Sequence, residues 1–475
     1  MWLNICSAIY TGVHSIPSIL NKKPFYPIGD IKMIKQIMPL SLIVALRFFG
    51  LFIVLPVLSI YALHMEGATP FLAGLVVGGY ALTQALFQVP FGLMSDKIGR
   101  KKTLLFGLLI FIAGSVIAAM SHTIYMLLAG RFLQGAGAIG SVVSAMIADL
   151  VKEEQRAHAM AVMGGTIAIS FAAAMIIAPV VGGHWGIDTL FWLTAILSVM
   201  AIGILFTAVP QPPKIVHSYA EEESKMLDVF KDKALTRMYI TFLFHSSIMT
   251  MAFFIIPLVM TQSVQDGGFG WDKAALWKVY LPAMVFGLLA MGPAAVFGEK
   301  YGKGREVFMI SVGIILIGFL AMGFASTPWV FILGVVCFFI GFNMFEPLLQ
   351  SFVAKFAKVH QKGAALGVAN TFAYVGIFFG GLLAGYIMQH FDRAVLAVTV
   401  ALIAAVWFIW VATMPNPNNR GNVYLPLDIF DREKVASLTD HPAIVESYIN
   451  ETENIAVVKY EKEVIDEDEV RGLLI

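Results

Sequence analysis

The stretch Gly92-Leu-Met-Ser-Asp-Lys-Ile-Gly-Arg-Lys-Lys102 connects two long apolar runs and combines an acid, a tight glycine turn and a basic cluster. A weaker copy, Ala295-Val-Phe-Gly-Glu-Lys-Tyr-Gly-Lys-Gly-Arg305, occurs in the second half of the chain. Three positions correspond in the two stretches: Gly99 with Gly302, Asp96 with Glu299, and Arg100 with Lys303. The recurrence indicates an internal duplication.

The apolar runs around these stretches predict membrane-spanning helices. Of the 475 residues, 59% are hydrophobic and 13% are charged, whereas soluble domains are about one-quarter charged. A helix needs about 20 apolar residues to cross the hydrocarbon core of a membrane. Twelve runs meet this requirement, near residues 37–64, 70–94, 103–121, 124–150, 160–183, 188–209, 238–260, 277–298, 306–325, 328–353, 363–389 and 394–413.

These runs, numbered spans 1 to 12, divide the chain into domains. We predict an all-α polytopic membrane protein with six-helix bundles at residues 37–209 and 238–414. The polar residues 210–237 form a cytoplasmic linker, and residues 1–36 form a cytoplasmic extension. Residues 421–475 have the composition of a soluble protein and predict a small α+β domain.

Basic residues are concentrated in alternate loops, which predicts the orientation of the spans. Residues before span 1 and the loops 2–3, 4–5, 6–7, 8–9 and 10–11 are rich in lysine and arginine. The opposite side carries only Lys273, Lys278 and Arg393. Because lysine and arginine accumulate in cytoplasmic loops, both termini are predicted to be cytoplasmic.

The loop between spans 2 and 3 resembles the signature of the major facilitator superfamily. The matching residues are Gly92, Asp96, Gly99, Arg100 and Lys101, and Met94 replaces a usual leucine. The resemblance implies two six-helix bundles, transport of a small molecule by alternating access, and a proton gradient in place of a cofactor.

The residues of this signature also predict its chemistry. Gly92 would let span 2 approach a neighbouring helix, and Gly99 permits the backbone to reverse. Asp96 is placed to meet the N-terminal end of a nearby helix. We expect Arg100 to pair with Asp149 at the cytoplasmic end of span 4, and the resemblance implies a latch that holds this side shut in the outward-open state. Alternatively, these charges only mark the cytoplasmic side beside a turn.

Span 4 contains a second signature, Arg131-Phe-Leu-Gln-Gly-Ala-Gly137. An arginine inside an apolar span costs at least a few kcal/mol and normally faces a cavity or a partner. The resemblance implies that Arg131 lines the central cavity and contributes to proton coupling. The alternative is that its guanidinium packs span 4 against span 1.

Span 5 ends in Ala174-Met-Ile-Ile-Ala-Pro-Val-Val-Gly-Gly183, which resembles the antiporter signature of the superfamily. The residues that fit are Pro179, Gly182 and Gly183, whereas Ala174 and Ala178 replace usual glycines. The resemblance favours an exporter, and a kink without directional meaning is the alternative.

Three further ionisable residues lie inside the spans: Arg47, His245 and Glu346. Glu346 lies roughly 9 Å from the middle of span 10 at 1.5 Å per residue, so we expect it to load and release a proton. His245 is the second candidate for proton coupling, and Arg47 is a fixed charge. Alternatively, Glu346 is a buried acid bonded to a neighbouring helix or paired with Arg47.

Span 2 carries polar residues at helical spacing. Tyr80, Gln84 and Gln88 follow one another at four-residue intervals, so they share one face of the helix. Such a stripe either lines a substrate path or forms hydrogen bonds between helices.

The C-terminal residues predict a strand–helix–strand–strand–helix order, at Val423–Leu427, Asp431–Leu438, Ile444–Ile449, Asn454–Tyr460 and Asp466–Leu473. This order is that of a ferredoxin-like domain without its last strand. We expect no metal site, because the domain lacks Cys-x-x-Cys and has His441 as its only histidine. With the span 1 pattern Leu46-Arg-Phe-Phe-Gly-Leu-Phe-Ile-Val-Leu-Pro56, the chain resembles the YajR-type proton-driven exporters of bacterial inner membranes.

We therefore predict a proton-coupled exporter of small amphipathic or drug-like molecules, acting as a monomer in the membrane lipid without nucleic-acid partners. The alternatives are a facilitator or importer of a metabolite such as a sugar, and a membrane sensor that does not transport. The sequence has no Gly-x-x-x-x-Gly-Lys-Ser/Thr loop for ATP and no nucleophile–base pair, so we expect neither an ATP-driven pump nor an enzyme.

Overall fold

A computed structural model describes residues 31–151, 153–210, 232–358, 361–416, 419–426, 435, 438, 441–450, 455–462 and 464–473. Twelve of its helical segments are long and apolar enough to cross a membrane, as predicted. In the first half, span 1 comprises α1 (Ile31–Phe52) and α2 (Leu55–Ala62), and span 4 comprises α5 (Ile124–Ala136) and α6 (Gly140–Leu150). The other spans of that half are α3 (Pro70–Ile98), α4 (Arg100–Ala119), α7 (Glu153–Trp185) and α8 (Ile187–Thr207).

The second half repeats this order without a break in its fourth helix. Spans 7 to 12 are α9 (Lys233–Thr261), α10 (Trp277–Ala295), α11 (Gly304–Gly323), α12 (Pro328–Phe356), α13 (Lys362–His390) and α14 (Arg393–Ala412). Span 8 follows a 3-10 turn, Lys273–Leu276, and runs into a π-helical turn, Val296–Lys300. Residues 1–30 and 211–231 of the predicted extension and linker lie outside the described residues, and the helices begin earlier than predicted, at Ile31 and Lys233.

Matching local signals begin helices in the two halves. Thr69 and Thr327 each cap a helix that starts with proline, because their hydroxyls accept the backbone N–H of Leu72 and Val330. Threonine oxygen satisfies a free donor of the first turn, and proline has no N–H to satisfy there. These short sequences therefore fix where spans 2 and 10 start.

The two ends of the helical bundle are packed differently. We call the end with loops 2–3, 4–5, 8–9 and 10–11 the basic end, and the other the opposite end. One large apolar core contains residues of both halves; in the first half it lies towards the opposite end, and in the second half it extends to the basic end. A second apolar core, from Met33 to Val209, lies at the basic end and contains residues of the first half alone.

Glycines bring the halves into contact at the opposite end. A Cβ on Gly78 of span 2 would lie 2.7 Å from the carbonyl oxygen of Ile377 in span 11, and one on Gly74 would lie closer still to the carbonyl oxygen of Gly381 and 2.8 Å from Cα of Gly385 in the same span. Small residues permit this backbone contact, which a larger side chain would prevent. The halves are therefore closed against each other at the opposite end.

A small sheet follows span 12. Its strands are β1 (Arg420–Pro426), β2 (Ile444–Asn450) and β3 (Ile455–Glu461), and α15 (Glu467–Gly472) ends the described part. The order β1-β3-β2, with β3 antiparallel to both neighbours, is that of a ferredoxin-like sheet without its fourth strand. Most of the predicted helix Asp431–Leu438 lies outside the described residues, but Val435 and Leu438 are buried in this domain's core.

Candidate functional site

The loop between spans 2 and 3 forms an ion-pair cluster at the basic end. Arg100 Nε lies 3.0 Å from Asp149 Oδ2, and Arg100 Nη1 lies 2.5 Å from Asp96 Oδ1 and 2.5 Å from Ser95 Oγ. The side chains of Arg100 and Asp149 are 18% and 22% exposed, whereas that of Asp96 is 58% exposed. The cluster lies within the first half, and the Arg100–Asp149 pair is formed although the described residues of the two halves share no apolar core at this end of the first half.

Of the other residues of the loop signature, Gly99 has the predicted role, whereas Gly92 and Asp96 do not make the predicted contacts. Gly99 has a φ of +98°, so it makes the expected reversal in a conformation that favours glycine. A Cβ on Gly92 would meet nothing closer than Ser141 at 3.7 Å, so the expected close helix approach is absent here. Asp96 binds Arg100 rather than a helix N-terminus, and Lys101 donates to the carbonyl of Val209, 2.6 Å away, beyond the end of span 6.

The second copy of the signature forms a pair with the charges exchanged. Glu299 accepts hydrogen bonds from Lys355 and Ser351, both near the basic end of span 10. Gly302 has a φ of +70°, which matches the conformation of Gly99. In the first half, the loop base Arg100 pairs with Asp149 on span 4. In the second half, the loop acid Glu299 pairs with Lys355 on span 10.

Arg131 is completely buried, and it contacts span 2 rather than span 1. Its Nε donates to the carbonyl of Val76 in span 2, 3.2 Å away, and its Nη1 donates to Gln134 at 2.7 Å. Its guanidinium carbon lies 4.5 Å from the ring centroid of Tyr80. The expected packing against span 1 is therefore wrong, because the guanidinium joins span 4 to span 2.

Arg47 is also completely buried in the first half. Its Nη2 lies 2.8 Å from the carbonyl oxygen of Gly137 and 3.3 Å from Gln84 Oε1. Its guanidinium lies over the rings of Phe48 and Phe111. No described contact joins Arg47 to Glu346, so the suggested neutral pair between them is absent from this structure.

The polar stripe of span 2 is buried in this structure. Tyr80, Gln84 and Gln88 are 2%, 0% and 4% exposed. Tyr80 lies under Arg131 and Gln84 accepts from Arg47, so both connect helices here. A role of the stripe in the substrate path stays a prediction.

Glu346 lies where the two halves separate. Phe171 of span 5 and Phe342 of span 10 meet across the halves, with ring centroids 6.2 Å apart. Glu346 follows Phe342 by one helical turn towards the basic end and is exposed. Asn343 and Gln350 lie on the same helix face; Asn343 contacts span 8, and Gln350 lies 3.3 Å from Asn370 of span 11. Because Glu346 lies four residues after Phe342, it shares the face of span 10 that Phe342 presents to span 5 of the first half.

His245 belongs to the interior of the second half. Its ring stacks on Phe342 with centroids 4.3 Å apart, and Phe345 and Trp407 complete an aromatic surround. Its Nε2 lies 3.3 Å from the Phe342 carbonyl oxygen. His245 is therefore buried, with 4% exposure, whereas Glu346 on the neighbouring span is exposed.

The end of span 5 takes part in closing the opposite end. A Cβ on Gly183 would lie 2.5 Å from Cα of Ala274, ahead of span 8 in the second half. Gly182 offers its carbonyl to the hydroxyl of Tyr61. Pro179 lies inside a helix that continues to Trp185. Gly183 thus serves close contact between the halves, whereas Gly182 contacts residues of the first half.

Sequence reasoning missed two contributors to the site. Tyr374 of span 11 is buried against Arg47 and Gln84, which joins the second half to the first at mid-span. Phe171 of span 5 contacts the rings of Phe253 and Phe342 in the second half. Both are aromatic residues in apolar helices, so their sequence context does not distinguish them from lipid-facing or core positions.

Comparison with known proteins identifies the family. The model of the Major Facilitator Superfamily matches residues 40–298 and 268–428. The chain is 36% identical over 435 residues to the inner membrane transport protein YajR of Escherichia coli (strain K12), covering 91% of this chain and 95% of the relative. It is 25% identical over 379 residues to the class H tetracycline resistance protein of Pasteurella multocida, covering 75% and 90%.

Solved structures agree with this assignment at the level of the fold. The crystal structure of a D-xylose-proton symporter superposes with a TM-score of 0.67 at 15% identity, covering 82% of this chain and 98% of the symporter. The family consists of membrane transporters, which are not enzymes. The chain belongs to the Major Facilitator Superfamily.

Proposed function

We propose that this multi-pass transporter is a proton-coupled exporter of small amphipathic or drug-like molecules, and that it works by alternating access. Its basic end faces the cytoplasm, because lysine and arginine accumulate in cytoplasmic loops. Both termini are then cytoplasmic. The present structure, closed at the opposite end, corresponds to a cytoplasm-facing state.

Glu346 carries this proposal. It is an exposed carboxyl one turn beyond the Phe171–Phe342 contact, in the helix that faces the gap between the halves. An ionisable group at membrane depth is costly and marks a substrate or proton path. A carboxylate here attracts a proton or a cationic amphipathic molecule, and competition between the two would couple their opposite movements.

The loop signature supports the switching step. Arg100 and Asp149 hold the loop against span 4, and Asp96 remains half exposed. Closure of the cytoplasmic side would bring Asp96 to the N-terminal end of a helix in the second half, where a negative charge is stabilised. The similarity to a tetracycline resistance protein supports the exporting direction.

Efflux from proteoliposomes tests the proposal. An imposed pH gradient should accelerate efflux of a fluorescent amphipathic cation by the full chain, and Glu346→Gln should abolish that acceleration. Glu306→Gln is the control, because Glu306 is an exposed carboxylate at the start of span 9. Efflux by Glu346→Gln with unchanged pH dependence would rule out the proton role. Uptake that follows the substrate's own gradient would instead favour a metabolite facilitator.

A further inference from the structure

Span 4 is broken in the middle of the membrane. Helix α5 ends at Ala136 and α6 begins at Gly140. Between them, Ala138 N–H donates to Ala136 and Ile139 N–H donates to Gly137, both at 2.9 Å. Gly137 has φ −76° and ψ 56°, the geometry of an inverse γ-turn. Non-helical backbone at this depth requires protein partners for its polar groups.

Arg47 supplies such a partner. Its Nη2 donates to the carbonyl of Gly137 at 2.8 Å, directly beyond the last residue of α5. A cation at the C-terminal end of a helix is favoured by the helix dipole. The same nitrogen contacts Gln84 Oε1 at 3.3 Å, so the guanidinium ties the break to span 2. Its Nε and Nη1 are buried without a hydrogen-bond partner among the described residues, beside the ring of Phe111.

The break separates two functional parts of span 4. Helix α5 carries Arg131, which is bonded to span 2. Helix α6 carries Asp149 at its far end, where it binds Arg100. The direction in which α6 leaves the break therefore decides where Asp149 meets the loop between spans 2 and 3.

We propose that Arg47 is a positioning residue that fixes the break of span 4 in the cytoplasm-facing state, and that α6 reorients about Gly137–Ile139 when the cytoplasmic side closes. Straightening of span 4 would return the Gly137 carbonyl to helical bonding and release Arg47. The first half then changes shape during transport instead of rocking as a rigid body. This inference rests on the proposed alternating access.

Spin-label distances in nanodiscs test the reorientation of α6 and the alternating access of the two halves separately. Cysteines at positions 102 and 148, in a chain with Cys6→Ser and Cys337→Ser, report the orientation of α6 within the first half. Cysteines at positions 102 and 306 report the separation of the halves at the cytoplasmic end. Lys102 is exposed, and the Glu306 side chain is 49% exposed, so both accept a label. Gly78→Val, which disrupts the contact at the opposite end, shifts the conformational equilibrium.

The expected result is that both distances change when Gly78→Val is introduced. Arg47→Met should shift the 102–148 distance towards its value in the closed state and lower efflux by about tenfold, the loss of one charge-assisted hydrogen bond. Arg47→Lys should restore most of both values, since an ammonium can still donate to Gly137. Ser198→Ala is the control, because the Ser198 hydroxyl bonds only to Thr194 of its own helix.

A second variant avoids dependence on the folding of Arg47→Met. Gly140→Ala favours helix at the break, and its Cβ would meet nothing closer than Gln88 Nε2 at 3.7 Å. It should shift the 102–148 distance in the same direction as Arg47→Met. A 102–148 distance unchanged in all variants, while the 102–306 distance responds to Gly78→Val, would overturn the positioning role alone. A single, invariant 102–306 distance would overturn alternating access itself.

Discussion

Nε of Arg100 lies 3.0 Å from Oδ2 of Asp149, and this bond joins the loop after span 2 to the end of span 4 within one half of the molecule. In the second half, Glu299 of the matching loop and Lys355 of span 10 form an ion pair in which the loop supplies the acid and the span supplies the base. Because each pair lies within a single half, separation of the halves need not break either pair. Each pair holds a short loop against its own bundle, and Asp96, although it is bonded to Arg100, keeps a side chain that is 58% exposed.

We expect Arg100 and Asp149 to be energetically coupled. Arg100→Met and Asp149→Leu should each lower efflux strongly, because each leaves a partly buried charge without its partner. The double variant should lose less than the sum of the two, with a coupling energy of about 1 kcal/mol or more in the thermal unfolding of the full chain. If the losses of stability in the two single variants add up in the double variant, Arg100 and Asp149 are not energetically coupled. Arg305→Met is the control, since Arg305 and Glu306 are 3.5 Å apart and half exposed.

The charges of the second pair should be exchangeable. Glu299→Lys alone places a like charge beside Lys355 and should destabilise the basic end of span 10. Glu299→Lys combined with Lys355→Glu reproduces the polarity of the first half and should restore stability and efflux. Thermal unfolding and efflux of the three variants measure this. Failure of the double exchange to recover either value would mean that Ser351, which also donates to Glu299, sets the polarity.

Gly78 should control the balance between the two conformations. A valine side chain here meets the backbone carbonyl of Ile377, and backbone in packed helices cannot move aside cheaply. Gly78→Val should therefore open the opposite end and make a cysteine in the closed contact accessible to a membrane-impermeant thiol reagent. Gly313→Val is the control, because its Cβ has no neighbour within 4 Å. Equal labelling of both variants would contradict the assignment of the closed end.

The soluble domain should be held to the membrane bundle by two cations. Lys459 Nζ donates to the carbonyl of Ala357, and Arg420 Nη1 donates to that of Phe356 at 2.9 Å. These carbonyls end span 10, where positive charge is favoured by about 0.3–1 kcal/mol each. Lys459→Met should increase hydrogen exchange in β1 and β3 of the full-length protein. Lys462→Met, which changes an exposed lysine of the same domain, should leave the exchange unchanged.

Features encoded locally were predictable from the sequence. Apolar run length predicted the twelve spans, and the glycine with an acid and a base predicted the turn that Gly99 makes at φ +98°. Strand order in the soluble domain also followed from the pattern of its elements. The pairing of Arg100 with Asp149 was expected because both charges lie at one membrane depth and each needs a partner.

Partners inside the bundle were not predictable in the same way. Arg131 joins span 2 rather than span 1, and Arg47 binds the Gly137 carbonyl rather than a carboxylate. A guanidinium has five donors and can donate to any nearby oxygen, so its partner depends on how the helices rotate and approach. The break of span 4 was not predictable either, because the run from Arg131 to Asp149 is apolar enough to predict one continuous helix.

The sequence by itself determined the number of spans, the repeat and the charges that each loop carries, because hydrophobic length and turn chemistry act over a few neighbouring residues. Only the tertiary structure decided that Glu346 is exposed while His245 lies in the core, and that the described residues of the first half share an apolar core with the second half towards the opposite end but not at the basic end. Those outcomes depend on contacts between residues far apart in the chain. The small glycines of spans 2, 5 and 11 set these contacts by letting backbones touch, and a glycine in the sequence does not name the helix it will meet.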